Sequence, residues 1–425
     1  MIYYNVNLER NGKWILVGSI RGENSQDAYF SYARSYLDDP SSMPISISLP
    51  LQKESFSPIQ TKTFFDGLLP EGFTRRALAT QMRTDEEDYL PILFGLGCEC
   101  LGAIRISSGG EEEEASYRAL SIEDVKALAV EGASKSTELV LQSHLSLTGA
   151  SGKVGLYYDE RNKRWFLPIG TAPSTHIVKQ SHIRLNDIVA NEQLCERTAF
   201  HLGIDVPESF IINTGTMQER EVLFAVRRYD RLISDQLPRI QGFPVPFRLH
   251  QEDMAQALGI TAACKYEKDP SQGYMTRMFD LLRRVSANPI EDQLKLWDRI
   301  VFCWMIGNTD GHLKNYSLLY SPDLSEIRLA PAYDLVSTCV YSGGTKKLAF
   351  SIGGEMDIRK VTEESFRQAA KDARIGERMA MNRLREIKDR FRDALQSATN
   401  ELVQEGYVRA DDLSERILAG FITAV

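Results

Sequence analysis

With 425 residues, 43% of them hydrophobic and 25% charged, the chain has the composition of an ordinary globular protein and the length of roughly two or three domains, which excludes disordered and fibrous classes. A net charge of −8 argues against a nucleic-acid-binding surface over the whole chain and leaves any DNA contact local or borrowed from a partner. No run approaches the ~18 apolar residues of a bilayer span, the N-terminus does not read as a secretory signal, and the six scattered cysteines suit reduced thiols, so a cytoplasmic protein with no membrane contact is expected.

Tyr3 to Leu8, then Gly12, then Trp14 to Ile20 predict a hairpin. A helix carrying Tyr29, Phe30, Tyr32 and Ala33 is expected next, then a strand over 45–51, then an arginine-containing helix from about 73 to 82. Cys98-Glu99-Cys100 lacks a second Cys or His pair at ligand spacing and gives no metal site. Ser107 to Glu114 joins flexible residues to a run of four glutamates that cannot be buried, and marks a boundary.

From Ser146 the chain reads Ser-Leu-Thr-Gly-Ala-Ser-Gly-Lys, a glycine-bearing turn ahead of a strand, able to lie over phosphates through its backbone N–H groups. It is not a Walker A motif, because Val154 follows Lys153 where Ser or Thr should stand. Asp159 to Lys163 closes a hairpin with a return strand from Trp165, and Thr175 to Lys179 is a further strand. A helix from Asn191 follows, with Leu194, Cys195, Ala199, Phe200 and Leu202 on its apolar side. A strand lysine followed by a helix glutamate is the order in which kinases build the ion pair that positions nucleotide phosphates, which pairs Lys179 with Glu192. The strand from Glu221 ends in Arg227-Arg228-Tyr229, where a hinge would offer backbone groups to an adenine.

Beyond residue 231 the pattern is helical: 251–258, 274–284, 291–306, 363–373 and 377 to about 404, the last with an apolar stripe from Met381 to Leu402 and stopped by Gly406. The helix before residue 307 delivers Gly-Asn-Thr-Asp-Gly-His-Leu-Lys-Asn. Asp310 and Asn315 have the Asp-x-x-x-x-Asn interval of a kinase catalytic loop, the acid orienting a hydroxyl and the amide holding Mg²⁺, and Asp334 is the later carboxylate for the same metal. His312, two residues after the acid, gives the loop a form found in lipid kinases.

Together these stretches resemble the HipA family of bacterial serine/threonine kinase toxins. Phe64 to Pro70 and Gly97 to Ala103 fit its N-terminal domain, and Ser146 to Lys153 its phosphate loop. Arg248 to Gly259 followed by Lys265-Tyr266-Glu267 is the segment most particular to it. The resemblance implies an α+β, two-lobed protein-kinase-like fold with a small N-terminal subdomain (1–106), an acidic linker (107–116), a nucleotide-binding lobe (117–231) and a mainly helical lobe with the catalytic loop (232–425). It implies ATP with Mg²⁺ and transfer to a serine of a target protein such as an aminoacyl-tRNA synthetase. A HipB-like helix-turn-helix antitoxin is the implied partner, through which alone DNA would be met. Asp310 would be the catalytic acid, and Asn315 and Asp334 the metal ligands. The nucleotide would meet Lys179, Glu192, Gly149, Ala150, Ser151, Gly152, Lys153, Arg227, Tyr229, His312 and Lys314. Ser146 would be the autophosphorylation site, with Thr148 and Ser151 as nearby alternatives. A small-molecule or lipid kinase and a weakly catalytic co-repressor remain open readings of the residues alone.

Overall fold

The computed structural model describes residues 2–97, 99–109, 114–144, 147, 152–181, 185–217, 221–233 and 238–422. The expected hairpin forms from Ile2–Arg10 and Lys13–Gly22, closed by Asn11 and Gly12 at φ 50° and 72°, the left-handed pair that a two-residue hairpin turn requires. Tyr29–Tyr32 and Ile104–Ser107 flank it to complete a four-stranded antiparallel sheet. Tyr29–Tyr32 is thus a strand where a helix is expected. Phe30 and Tyr32 are buried and their neighbours half-buried, the period of two that aromatic residues favour on a pleated surface.

The strand expected over 45–51 is also absent. Pro44 and Pro50 bracket the segment, and the Tyr32 hydroxyl accepts the Ile45 N–H (3.0 Å) and donates to the Leu49 carbonyl (2.6 Å), so a turn replaces a ladder. Two helices follow. Pro58–Phe65 starts on a Ser57 capping box with proline in its first turn, and Gly72–Met82 matches its expected position.

The central sheet is six antiparallel strands in the order Ser116–Ala119, Arg164–Ile169, Lys153–Asp159, His176–Gln180, Val222–Arg227, Ser209–Asn213. Its register sets Lys153 beside Lys179 and Lys179 beside Phe224, so all three share one face. The helix Ile188–His201 packs on this sheet, beginning three residues before Asn191. Leu194, Cys195, Ala199 and Leu202 are buried as expected, but Phe200 is 68% exposed, because Ala199, Leu202 and Ile204 already close the core at that end.

The remainder is mainly helical. Only Met254–Ala257 of the helix expected over 251–258 forms. Gln251–Asp253 is instead a strand paired with Ser317–Tyr320, and Asp253 caps the short helix through Gln256. Tyr274–Val285, Pro289–Met305, Glu363–Asp372 and Glu377–Gln404 match, and Ala410–Ile422 is a further helix. The whole stripe of Met381, Leu384, Ile387, Phe391, Leu395, Ala398 and Leu402 is buried. Each large member contributes about 1.5–3 kcal/mol, which fixes the long helix against Ile188–His201 and Pro289–Met305. Among the described residues no helix is long and apolar enough to cross a membrane.

Candidate active site

Leu296, Ile300, Val301, Trp304 and Met305 bury the helix Pro289–Met305 and give the loop after it a rigid mount. Gly307 turns the chain at φ 71°, where a Cβ would stand 2.8 Å from the Cβ of Cys339. The loop is then pinned by its own polar groups. Asn308 Oδ1 accepts the Asp310 N–H (2.9 Å), the Thr309 N–H donates to Thr338 Oγ1 (2.8 Å), and the N–H groups of His312 and Asn315 reach the carbonyls of Asp310 and His312 (2.8 and 2.9 Å).

Asp310 opens into a cleft of about 1210 Å³ that is also lined by Asn315, Asp334, Lys179, Glu192 and Lys153. Burial between the cleft walls raises the Asp310 carboxyl above its ordinary value, an effect that the Tyr266 hydroxyl, donating to Oδ1 at 2.5 Å, partly offsets.

Lys179 Nζ lies 2.5 Å from Glu192 Oε1 and 2.6 Å from Asp334 Oδ1. Burial alone would lower the lysine's pKa, but Asp334 and Glu192 reverse this and keep it protonated. Asp334 is likewise held ionised, well below the carboxylate range, because Lys179 and Lys153 overcome its burial. Its backbone sits at φ 60°, a left-handed conformation uncommon for a side-chain-bearing residue and typical of constrained functional positions. The Lys153 backbone pairs with the strand of Lys179, but its ammonium has no hydrogen-bond or ion-pair partner among the described residues. Burial brings its pKa down to about 8, with Asp334 pulling the other way. Gly152, just before it, is so close to the Gln180 amide that a Cβ would collide. Ser146, Thr148, Gly149, Ala150 and Ser151 lie outside the described residues, as does Cys98.

The other expected residues have distinct settings. Lys314 turns its ammonium to the Gly67 carbonyl (2.8 Å), Asp253 (3.2 Å) and Glu71 (3.4 Å), and so clamps the loop to the N-terminal part of the chain. His312 is buried, and burial followed by the charge of Lys265 holds its imidazole at about 3, so it is neutral. Arg227 pairs with Glu208 (3.3 Å) and Glu160 (3.5 Å) at the cleft edge, and Tyr229 stacks on Tyr333 with its hydroxyl on Gln251.

Four contributors went unassigned in the sequence. Glu71, in the N-terminal subdomain and one residue beyond the Phe64 to Pro70 stretch, joins Lys265 (2.5 Å) to Lys314 (3.4 Å). Tyr266 meets the proposed catalytic acid. The Asn191 side chain takes both backbone groups of Ser337. Glu196, one turn beyond Glu192, is a buried carboxyl raised well above its usual range by burial and then by Glu192, hence a neutral acid.

The donor set fits a magnesium nucleotide. Asp334 is ionised and Asn315 offers an amide oxygen, both hard donors lining the same cleft, and Mg²⁺ bound to nucleotide needs only one or two protein oxygens. Among the described residues no three His, Cys, Asp or Glu side chains converge to hold a metal by themselves.

Residues 145–397 match the family model for the HipA-like C-terminal domain, and residues 12–107 match that for the HipA N-terminal domain. The protein Y4mE of Sinorhizobium fredii, whose name calls it a kinase, is 31% identical over 388 residues, covering 89% of both chains. The serine/threonine-protein kinase toxin HipA of Shewanella oneidensis is 28% identical over 361 residues, covering 82% of this chain and 78% of that one. A solved complex of HipA, HipB and operator DNA from the toxin–antitoxin system of Shewanella oneidensis contains a chain that superposes with a TM-score of 0.79 at 22% identity, covering 98% and 96% of the two chains, which shows the same two-lobed α+β fold. The family models span most of the chain, both named relatives carry kinase names, and the protein belongs to the HipA family.

Proposed function

We propose that the chain is a serine/threonine-protein kinase toxin of a toxin–antitoxin module, moving the γ-phosphoryl group of ATP to a serine of a target protein and so arresting growth. The observation that supports this best is the meeting, in one cleft, of Asp310 and Asn315 with Asp334 and the Lys179–Glu192 pair. In this reading residues 117–231 carry the nucleotide and 232–425 the catalytic loop, while 1–106 brace that loop. Asp310 receives the proton of the serine hydroxyl as its oxygen bonds to the γ-phosphorus, and ADP leaves with the electrons of the broken P–O bond. Lys179 and Lys153 face the phosphates beside Gly152, and the segment Arg227–Tyr229 borders the adenine; the sequence 149–151 completes the proposed phosphate loop and lies outside the described residues. Mg²⁺ held by Asn315 and Asp334 would neutralise phosphate charge.

Ser146 is the proposed self-phosphorylation site, with Thr148 and Ser151 as alternatives. A phosphate there adds about −1.5 to −2 charge to the segment that precedes Lys153 in sequence, where it would compete with the nucleotide's own phosphates and so act as an off state. The solved neighbour was captured with HipB and DNA, which supports a HipB-like antitoxin as partner and DNA contact through it. An aminoacyl-tRNA synthetase is the target class that the family resemblance suggests. Phosphoproteomics after brief expression tests the reading. The wild type should arrest growth and add phosphoserine to a small set of proteins, and Asp310→Asn at equal expression should do neither. Equal arrest by both would reduce the protein to a binding toxin.

A further inference from the structure

Lys265-Tyr266-Glu267 is a tripeptide anchored on both sides of its centre. The Lys265 ammonium is bound by Glu71 at 2.5 Å, and the Lys265 carbonyl accepts the N–H of Leu313 in the catalytic loop at 3.4 Å. The Glu267 N–H donates to the Ala349 carbonyl (2.8 Å), and its buried carboxylate accepts the N–H groups of Tyr274 (2.8 Å) and Ser351 (2.6 Å). Tyr266 between them is 42% exposed into the cleft, with its ring edge-on to His312 at 5.0 Å and 84° and the Lys265 ammonium 5.5 Å from its centroid. Its hydroxyl donates to Asp310 Oδ1 at 2.5 Å, and no other described side chain or backbone group bonds the Asp310 carboxylate.

An aspartate carboxylate turns easily about its last torsion, so an acid in an open cleft presents no fixed oxygen to a substrate unless something holds it. We propose that Tyr266 is a positioning residue for the phosphoryl-transfer step. It ties Oδ1 and leaves Oδ2 aimed into the cleft as the oxygen that receives the acceptor's proton, an inference that rests on the assignment of Asp310 as catalytic acid. The fixed flanks make the arrangement directional, because the ring is held from outside the loop that carries the acid. A tyrosine acting as a plug in the acceptor's place would have the opposite effect on rate.

A double-mutant cycle separates these cases, with ADP release from Mg·ATP as the readout and water and the chain's own hydroxyls as acceptors. Tyr266→Phe keeps the ring and its packing and removes only the hydroxyl. It should lower the maximal rate about tenfold and leave the KM for Mg·ATP within about twofold. In the Asp310→Asn background the same change should have no further effect, since Tyr266 acts through Asp310. An unchanged or faster Tyr266→Phe enzyme, or an equal loss in the Asp310→Asn background, would overturn the proposal. Full activity of Asp310→Asn by itself would instead remove the assignment of Asp310 as catalytic acid beneath it.

Discussion

The Asn191 side chain accepts the Ser337 N–H at 3.0 Å and donates to the Ser337 carbonyl at 2.8 Å, in a fully buried setting. It ties the helix bearing Glu192 to the segment three residues beyond Asp334, so the two carboxylates that share Lys179 are set by one uncharged clasp. Asn191→Ala leaves two backbone groups unpaired. It should cost about 2–4 kcal/mol by denaturant unfolding, at roughly 1–3 kcal/mol per buried orphan group partly relieved by water, and should weaken Mg·ATP binding in calorimetry.

Glu71 ties the N-terminal part of the chain to the loop that carries Asp310, through Lys314. Although burial favours its neutral form, Lys314 and Lys265 keep its carboxyl ionised and its pKa lowered. Glu71→Gln leaves both ammonium groups short of a counter-charge, and the expected loss is about 3 kcal/mol in stability together with a several-fold fall in ADP release. Wild-type turnover in this variant would mean that the N-terminal segment braces the fold without shaping the site.

A second buried charge cluster gathers around Glu99 beyond the strand Val222–Arg227. Glu99 receives Arg231 (2.7 Å), Arg248 (2.7 Å) and Arg228 (3.2 Å), and these three arginines outweigh its burial and bring its carboxyl from the ordinary 4.5 to about 2. Because the folded value is the lower one, this stabilisation is complete above about pH 4.5 and is lost as pH falls toward 2, with a total near 3 kcal/mol. Unfolding measured between pH 7 and 3 should show a shallower acid limb in Glu99→Gln than in the wild type, and at pH 7 the variant should be less stable by about 3–5 kcal/mol.

Glu196 offers the reverse case. Among the described residues neither of its buried carboxyl oxygens has a partner within hydrogen-bond geometry, which costs about 1–3 kcal/mol. Replacing it with methionine, of similar length and apolar, should raise the thermal midpoint and leave Mg·ATP affinity unchanged. A loss of affinity would show that the acid serves the nucleotide.

The helical lobe was legible because a stripe such as Met381 to Leu402 repeats at one period over about six turns, and the loop because Asp310 and Asn315 stand at the kinase interval within six residues. Short elements were not. Tyr29–Tyr32 and Gln251–Asp253 are too brief to separate a period of two from one of 3.6, and their partners in the sheets decide. The role of Glu71 depends on a lysine 194 positions away, and that of Tyr266 on an acid 44 positions away, distances over which no local pattern survives.

Phosphoryl transfer by purified protein tests the central claim most directly. Wild type and Asp310→Asn should bind Mg·ATP with affinities within a few-fold of each other, since Asp310 is assigned to the acceptor and not to the nucleotide. Phosphate incorporation and ADP formation should fall by about 10²-fold or more in Asp310→Asn. Equal turnover by the two proteins would contradict the account.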